Sequence, residues 1–390
     1  MNFLKFVICI MVTSICPTSF VCAFEILPIA LNGGAKSVCA NTEEICYFNA
    51  PTNNEFCNDP KYKVGIYTDP HTGRPINTVN SIFQCPASKG YAVNQPIHEA
   101  MTRAAYRKVC KNRKWKECAL TMQPNSRYIS GVIWNDDPNF LLRHAIYGSG
   151  RKKVVNYKSI MSDKNYGATL TRRSHYGDLQ FLHATIPSDN NMSPTKQCVT
   201  LQKIFSWARN IFEIANGDLK LTTPVKNTTF EEYLVQKAKR YGRSGCRWDK
   251  DSKTLGDLFC VKDFMHDKNT SENAGEQTRT FRQLAFGTLL HIIQDSYSSS
   301  HVIRDNKTFY IKKFETYTGQ PNHCIADAGT IDNKSNINQA QVKSNELFEL
   351  YARTVFEPQD KKAKWEDWEN FLKSVFAVDG FEKCNLSSSK

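Results

Sequence analysis

The sequence predicts an all-α fold: a compact multi-helix domain preceded by a loop-rich, cysteine-containing N-terminal region. Three observations lead there. Apolar residues recur at helical spacing in several long segments after about residue 96. Sustained strand-type alternation is scarce. Residues 24–90 are rich in Asn, Pro, Gly and Cys and carry little period. At 390 residues the chain can bury a sizeable core, and no internal repeat or low-complexity tract interrupts it.

In chain order, residues 1–23 read as a secretory signal peptide. Lys5 gives the positive start, Phe6 to Val12 the apolar stretch, and Val21-Cys22-Ala23 a small-residue cleavage site. A membrane anchor is the competing reading, but the apolar run is short and broken by Ser14 and Pro17. The mature chain is expected to start near Phe24 and to be secreted, either extracellular or periplasmic. Residues 91–390 then form the helical domain. Apolar residues at 97, 101, 105 and 109 predict a helix running to Cys110. Asp137-Pro138 suggests a cap and first turn for a short helix over 139–147. Ser174 is expected to cap a helix through Leu182. Segments 199–216, 229–241 and 279–295 have helical spacing, with a polar excursion over 242–278. Helices over 340–356 and 363–376 close the chain, the last carrying Trp365, Trp368, Phe371 and Phe376 in a pattern that suits core packing.

Of the 14 cysteines, Cys9, Cys16 and Cys22 lie in the signal segment. Export makes disulfides the expectation for the others. None of these forms a C-x-x-C pair, which argues against a thiolate zinc finger. The net charge of +13 suits anionic partners, such as phosphate groups, acidic lipid surfaces or nucleic acid, and also suits plain solubility. No G-x-S-x-G is present, so serine-hydrolase chemistry is not expected.

The chemistry concentrates in Ala285 to His301, AFGTLLHIIQDSYSSSH. His291 and Asp295 are four apart and share one helix face, with His301 just beyond. A buried helix has no packing reason to carry His and Asp on one face, whereas a metal ion takes both as ligands. A second H-x-x-x-D follows at His323 and Asp327. Other candidates are His98 at a helix start, Asp136 and Asp137 in WNDDP, and His175 and His183 flanking SHYGDLQFLHA. Singly, each of these is more often a core or capping residue than a ligand.

As a set, these residues resemble the zinc-dependent phospholipase C and single-strand nuclease superfamily. The resemblance covers 96–327 and is most specific at LLHIIQDSYSSSH. SHYGDLQFLHA and GVIWNDDP look most like its bacterial phospholipase C branch. The resemblance implies a compact all-α domain around a clustered site of two or three zinc ions. The ligands it implies are His98, Asp136, His175 (with His183 as its competitor), His291 and Asp295, the last placed to bridge two metals. His301, His323 and Asp327 would hold the remaining zinc. The family's N-terminal Trp ligand has no counterpart here, because the expected new N-terminus is Phe24. The implied activity is hydrolysis of the glycerol-side phosphodiester of glycerophospholipids such as phosphatidylcholine, giving diacylglycerol and a phosphorylated headgroup. Asp136 is the candidate for orienting the nucleophile, with Asp137 beside it in a catalytic role. The expected partner is a phospholipid or membrane surface, and no protein partner is implied. The alternatives are a zinc nuclease or other phosphodiesterase on the same scaffold, acting on nucleic acid, and a non-catalytic zinc-stabilised lipid-binding protein.

Overall fold

The structure is a computed structural model that describes residues 97–113, 127–136, 138, 169–187, 193–237, 248–264, 274–316, 334–378 and 384. The expected signal peptide, the 24–90 region and the expected helix over 139–147 lie outside the described residues. So do Asp137, His323 and Asp327.

The described chain is mostly helical. Its helices are α1 (Ile97–Arg113), α2 (Arg127–Trp134), α3 (Leu170–Tyr176), α4 (Pro194–Asn216), α5 (Leu255–Leu258), α6 (Ala274–Asp295), α7 (Lys334–Phe356) and α8 (Trp365–Val375). Two short antiparallel strands, β1 (Val302–Arg304) and β2 (Ile311–Phe314), form the one sheet among the described residues. No described helix is long and apolar enough to cross a membrane.

Helix α6 is the axis of the molecule. From Leu284 to Asp295 every residue is buried, as expected of a helix apolar on nearly all sides. Helices α1, α2, α4 and α7 all pack on it. Its approach to α2 is close, and two glycines make it so. A Cβ on Gly131 would lie 2.9 Å from the Gly287 Cα, and one on Gly287 would lie 2.6 Å from the Gly131 Cα. Because the two backbones touch there, the Val132 carbonyl reaches a ring on α6 one turn further along.

Sequence spacing located α1, α4, α6, α7 and α8 within a few residues. Three segments depart from it. Ser174 lies inside α3 rather than capping a helix through Leu182, because Thr169 is the cap: its Oγ1 accepts from Arg172 N. Gly177 then ends α3, and Gln180–His183 forms a separate 3-10 turn. The segment begun at 229 is a 3-10 turn, Thr229–Tyr233, leading into extended chain, so helical spacing there reflected burial of Phe230 and Tyr233 alone. The expected polar excursion contains a piece of the core: Trp248, Leu255, Leu258 and Phe259 are fully buried. Trp248 stacks on Trp207 at 5.5 Å and lies 5.6 Å from Trp134, forming an aromatic block under α2 and α4.

At the other end, Trp368, Phe371 and Phe376 are buried as core, as their spacing suggested. A disulfide joins Cys198 in the first turn of α4 to Cys384. Every described cysteine, namely Cys110, Cys198, Cys260 and Cys384, is disulfide-bonded.

Candidate metal centre

Seven of the residues singled out in the sequence converge between α1, α2, α3, the 180–183 turn and the end of α6. They fall into two groups whose ligand atoms lie within 4.8 Å of one another: His98, His291 and Asp295, and Asp136, His175 and His183. His301 joins the edge of the first group, with its Nδ1 3.6 Å from Asp295 Oδ2.

Asp295 is the hub. Its Oδ1 lies 3.3 Å from His98 Nε2, while its Oδ2 lies 2.9 Å from His291 Nε2 and 3.0 Å from His183 Nδ1. The two oxygens thus face different imidazoles, as expected of a bridging carboxylate. Asp136 sits on the opposite side, its Oδ1 3.8 Å from His183 Nδ1 and 3.9 Å from His175 Nε2. Its Oδ2 is 3.8 Å from the His291 ring.

Each imidazole is anchored through its other nitrogen. His291 Nδ1 donates to Val132 O at 2.7 Å, across the glycine crossing. His301 Nδ1 donates to His183 O at 2.6 Å, and His175 Nδ1 to Thr171 O at 2.8 Å. His98 Nδ1 donates to Gln294 Oε1 at 2.6 Å, because that amide's Nε2 donates to Thr102 and Ser344 hydroxyls. His183 is anchored the other way round, its Nε2 donating to Asn135 O at 3.2 Å. Carbonyl oxygens only accept, so each anchored nitrogen carries the ring proton and the other presents a lone pair. Metal-ligating histidines are held in just this fashion.

The consequence decides the fit to a cation. His291 Nε2, His183 Nδ1 and Asp295 Oδ2 lie 2.9, 3.0 and 3.1 Å from one another. With neutral rings these are three mutually facing acceptors, which repel without a positive charge among them. Burial keeps the rings neutral: it pushes His183 down to about 3 and His291 to about 4, and it lowers His175 well below its ordinary value. Burial opposes the Asp295 carboxylate, but the neighbouring His291 and His301 rings hold it well below the usual range. A carboxylate buried among neutral bases is a cation site by charge as well as by donor type. N and O ligands about 2.0–2.2 Å from a tetrahedral ion stand about 3.3–3.6 Å apart, so this triangle would open by a few tenths of an ångström to hold one. These donors suit cations that take imidazole and carboxylate, zinc among them.

Local structure delivers each ligand. Arg173, buried in α3, donates to both Asp178 carboxylate oxygens and to Tyr233 O, which fixes the helix that carries His175. Asn135 Nδ2 donates to Leu182 O and Thr288 O, tying the Asp136 turn to the His183 turn and to α6. Ala184 closes the 3-10 turn in a left-handed conformation, φ 50°, beside the His183 carbonyl that receives His301. Arg304 donates to Ser296, Phe309 and Val375 carbonyls, pinning the segment between Asp295 and His301 to the hairpin and α8.

Both histidines of SHYGDLQFLHA enter the cluster, so the choice between His175 and His183 dissolves. Sequence reading did not single out Asn135, Gln294 or Arg173. Asn135 and Gln294 each adjoin a predicted carboxylate, which is the only signal that could have marked them. The cluster is sealed on the α6 side and touches solvent only at its rim, where the Asp136 side chain is 8% exposed. A cavity of about 550 Å³ lined by Arg279, Arg282, Tyr351 and Phe356 opens at the far end of α6, about 14 Å along the helix from His291. It is a separate feature.

No family model matches the chain, and comparison with curated proteins and with solved structures likewise gives no match.

Proposed function

We propose that the protein is a secreted, zinc-dependent phosphodiester hydrolase of the phospholipase C type. One observation carries the reading. Seven His and Asp residues marked by sequence motifs, spread from His98 to His301, meet in one buried centre around Asp295. Six of those seven residues fall into the two three-ligand groups.

His98, His291 and Asp295 would hold one ion and Asp136, His175 and His183 a second. His301 stands at the edge of the first. Zinc bound there supplies neutralisation of phosphoryl oxygens and lowers the pKa of a water molecule toward neutrality. The chain's own residues supply the rest. Asp136, at the solvent-facing rim, accepts a hydrogen bond from the attacking water and orients it toward phosphorus. The buried imidazoles exclude bulk water from the inner side. The aromatic block and the α2–α6 crossing hold the ligands rigid. Disulfide bonding of all described cysteines supports an oxidising compartment, and so export. Phosphatidylcholine and similar glycerophospholipids are the proposed substrates, and diacylglycerol and the phosphorylated headgroup the products.

The test is release of phosphorylated headgroup from phosphatidylcholine vesicles by the mature protein, run beside single-stranded DNA, with a chelator arm and zinc add-back. Zinc-restored phosphocholine release supports the reading. Cleavage of DNA alone transfers the chemistry to nucleic acid, and silence on both with zinc bound removes the hydrolase reading.

A further inference from the structure

Gln180 is the least explained polar residue of the core. It is 0% exposed, yet among the described residues neither its Nε2 nor its Oε1 has a hydrogen-bond partner. An amide buried without partners costs about 1–3 kcal/mol or more, and most native polar groups avoid that state. Its backbone and its neighbours are held in place. The Gln180 carbonyl accepts from Thr185 N and Oγ1 at 3.3 and 3.0 Å. Its neighbour Phe181 is wedged against Trp207 and Tyr233, and the next residue, Leu182, receives Asn135 through its carbonyl. The turn is therefore pinned on every side, and only the amide is unengaged.

Position says where that amide belongs. Gln180 and His183 are the first and fourth residues of one 3-10 turn. In that geometry residues three apart eclipse, so both side chains lie on one face, with Cα atoms about 6 Å apart. His183 Nδ1 on that face reaches Asp295 and Asp136.

We propose that Gln180 is a ligand-binding residue of the metal centre, its Nε2 donating to a non-bridging oxygen of a phosphate ester held at the Asp136, His175 and His183 group. The assignment rests on the phosphodiesterase reading. It accounts for the missing partner of Nε2: the bound phosphoryl group supplies the acceptor, and the ligand-free protein carries the unpaired donor. Such sites lower stability in exchange for affinity.

The experiment uses zinc-loaded mature protein titrated with inorganic phosphate and, separately, phosphocholine, together with the melting temperature of the ligand-free protein with and without chelator. Gln180→Met keeps the volume and removes the amide. It should raise the melting temperature of the chelated, ligand-free protein by a few degrees. It should weaken binding of both probes roughly 10–100-fold, the range expected for a hydrogen bond to a charged group, with zinc content unchanged. A lower melting temperature with unchanged probe binding would make Gln180 a structural residue and overturn the proposal. If Gln180→Met does not fold, Gln180→Glu decides. Loss of phosphate binding with zinc retained supports the assignment, and wild-type affinity overturns it. Failure of the wild-type protein to bind either probe overturns the phosphodiesterase reading itself, which separates the two outcomes.

Discussion

The two halves of the centre differ in how they are built. His98, His291 and Asp295 sit on long helices, and all three are fully buried. Asp136, His175 and His183 sit at the end of α2, in the last turn of the short α3 and on a 3-10 turn, and this half reaches the solvent rim. A half on helices, sealed from water, is suited to holding an ion. A half on turn residues at the edge is suited to meeting a ligand. The shared member is Asp295, whose Oδ2 contacts His183 across the boundary. On the proposed reading, the inner half is the platform and the outer half the working face.

The strongest way to break this division is Asp295→Ala. With the hub gone, the centre loses its buried negative charge and the two oxygens that join its halves, and both halves should lose their ions. We expect bound zinc to fall to background and activity to drop by more than about 100-fold, beyond the effect of removing a residue that only supports a ligand. Elemental analysis beside the vesicle assay checks it. Retention of one full equivalent of zinc would mean that the halves are independent.

Next in size are His183→Ala and His175→Ala. His183 lies in the tight triangle with His291 and Asp295, whereas the His175 ring nitrogen lies 3.9 Å from Asp136, on the outer side. His183→Ala should therefore lower zinc in both halves, and His175→Ala should remove the outer ion alone. Equal losses in the two variants would show that the outer half is wrongly drawn.

Acidification of the chelated protein tests what the halves share. Folded, His183 and His291 are held down to about 3 and about 4 by burial, and unfolded they titrate near 6.5. Between those values the unfolded chain binds protons that the folded one does not, so stability falls as pH falls. The slope is at most about 1.4 kcal/mol per pH unit for each ring. Asp295, lowered in the fold, adds a further loss below about pH 4. The melting temperature of metal-free protein should be level from pH 8 to 7 and then decline steadily below 6.5. A level profile down to pH 5 would mean that the rings are not buried neutral.

The same contrast governs what was legible in the sequence. The inner half could be read locally, because His291 and Asp295 are one helical turn apart inside an apolar run, and two such residues on one buried face require an explanation. The long helices were equally plain from spacing. The outer half has no local signature. Asp136, His175 and His183 come from separate turns, and only the motif resemblance joined them. Turn geometry was what spacing misjudged: α3 stops at Gly177 because that residue ends the helix, and Trp248 joins the core from a stretch that reads as polar. Hydrogen-bond partners such as Asn135 and Gln294 are invisible for a further reason. An amide's role depends on which carbonyl or ring folding brings beside it.

Gln294 yields the smallest and most selective test. It touches no candidate outer ligand, but its Oε1 takes the His98 proton and its Nε2 bonds Thr102 and Ser344. Gln294→Leu removes that acceptor, so His98 loses the bond that fixes its tautomer and turns its Nε2 toward Asp295. Supporting residues of this kind typically contribute 10–100-fold to metal affinity. The inner ion should weaken by that factor in a chelator-competition titration, while the outer ion holds its wild-type affinity. Gln294→Glu keeps an acceptor for the ring and should restore inner binding, which separates an effect on His98 from a general loss of packing. Equal weakening of both ions in Gln294→Leu, unrelieved in Gln294→Glu, would show that the centre responds as one rigid unit rather than as a platform carrying a working face.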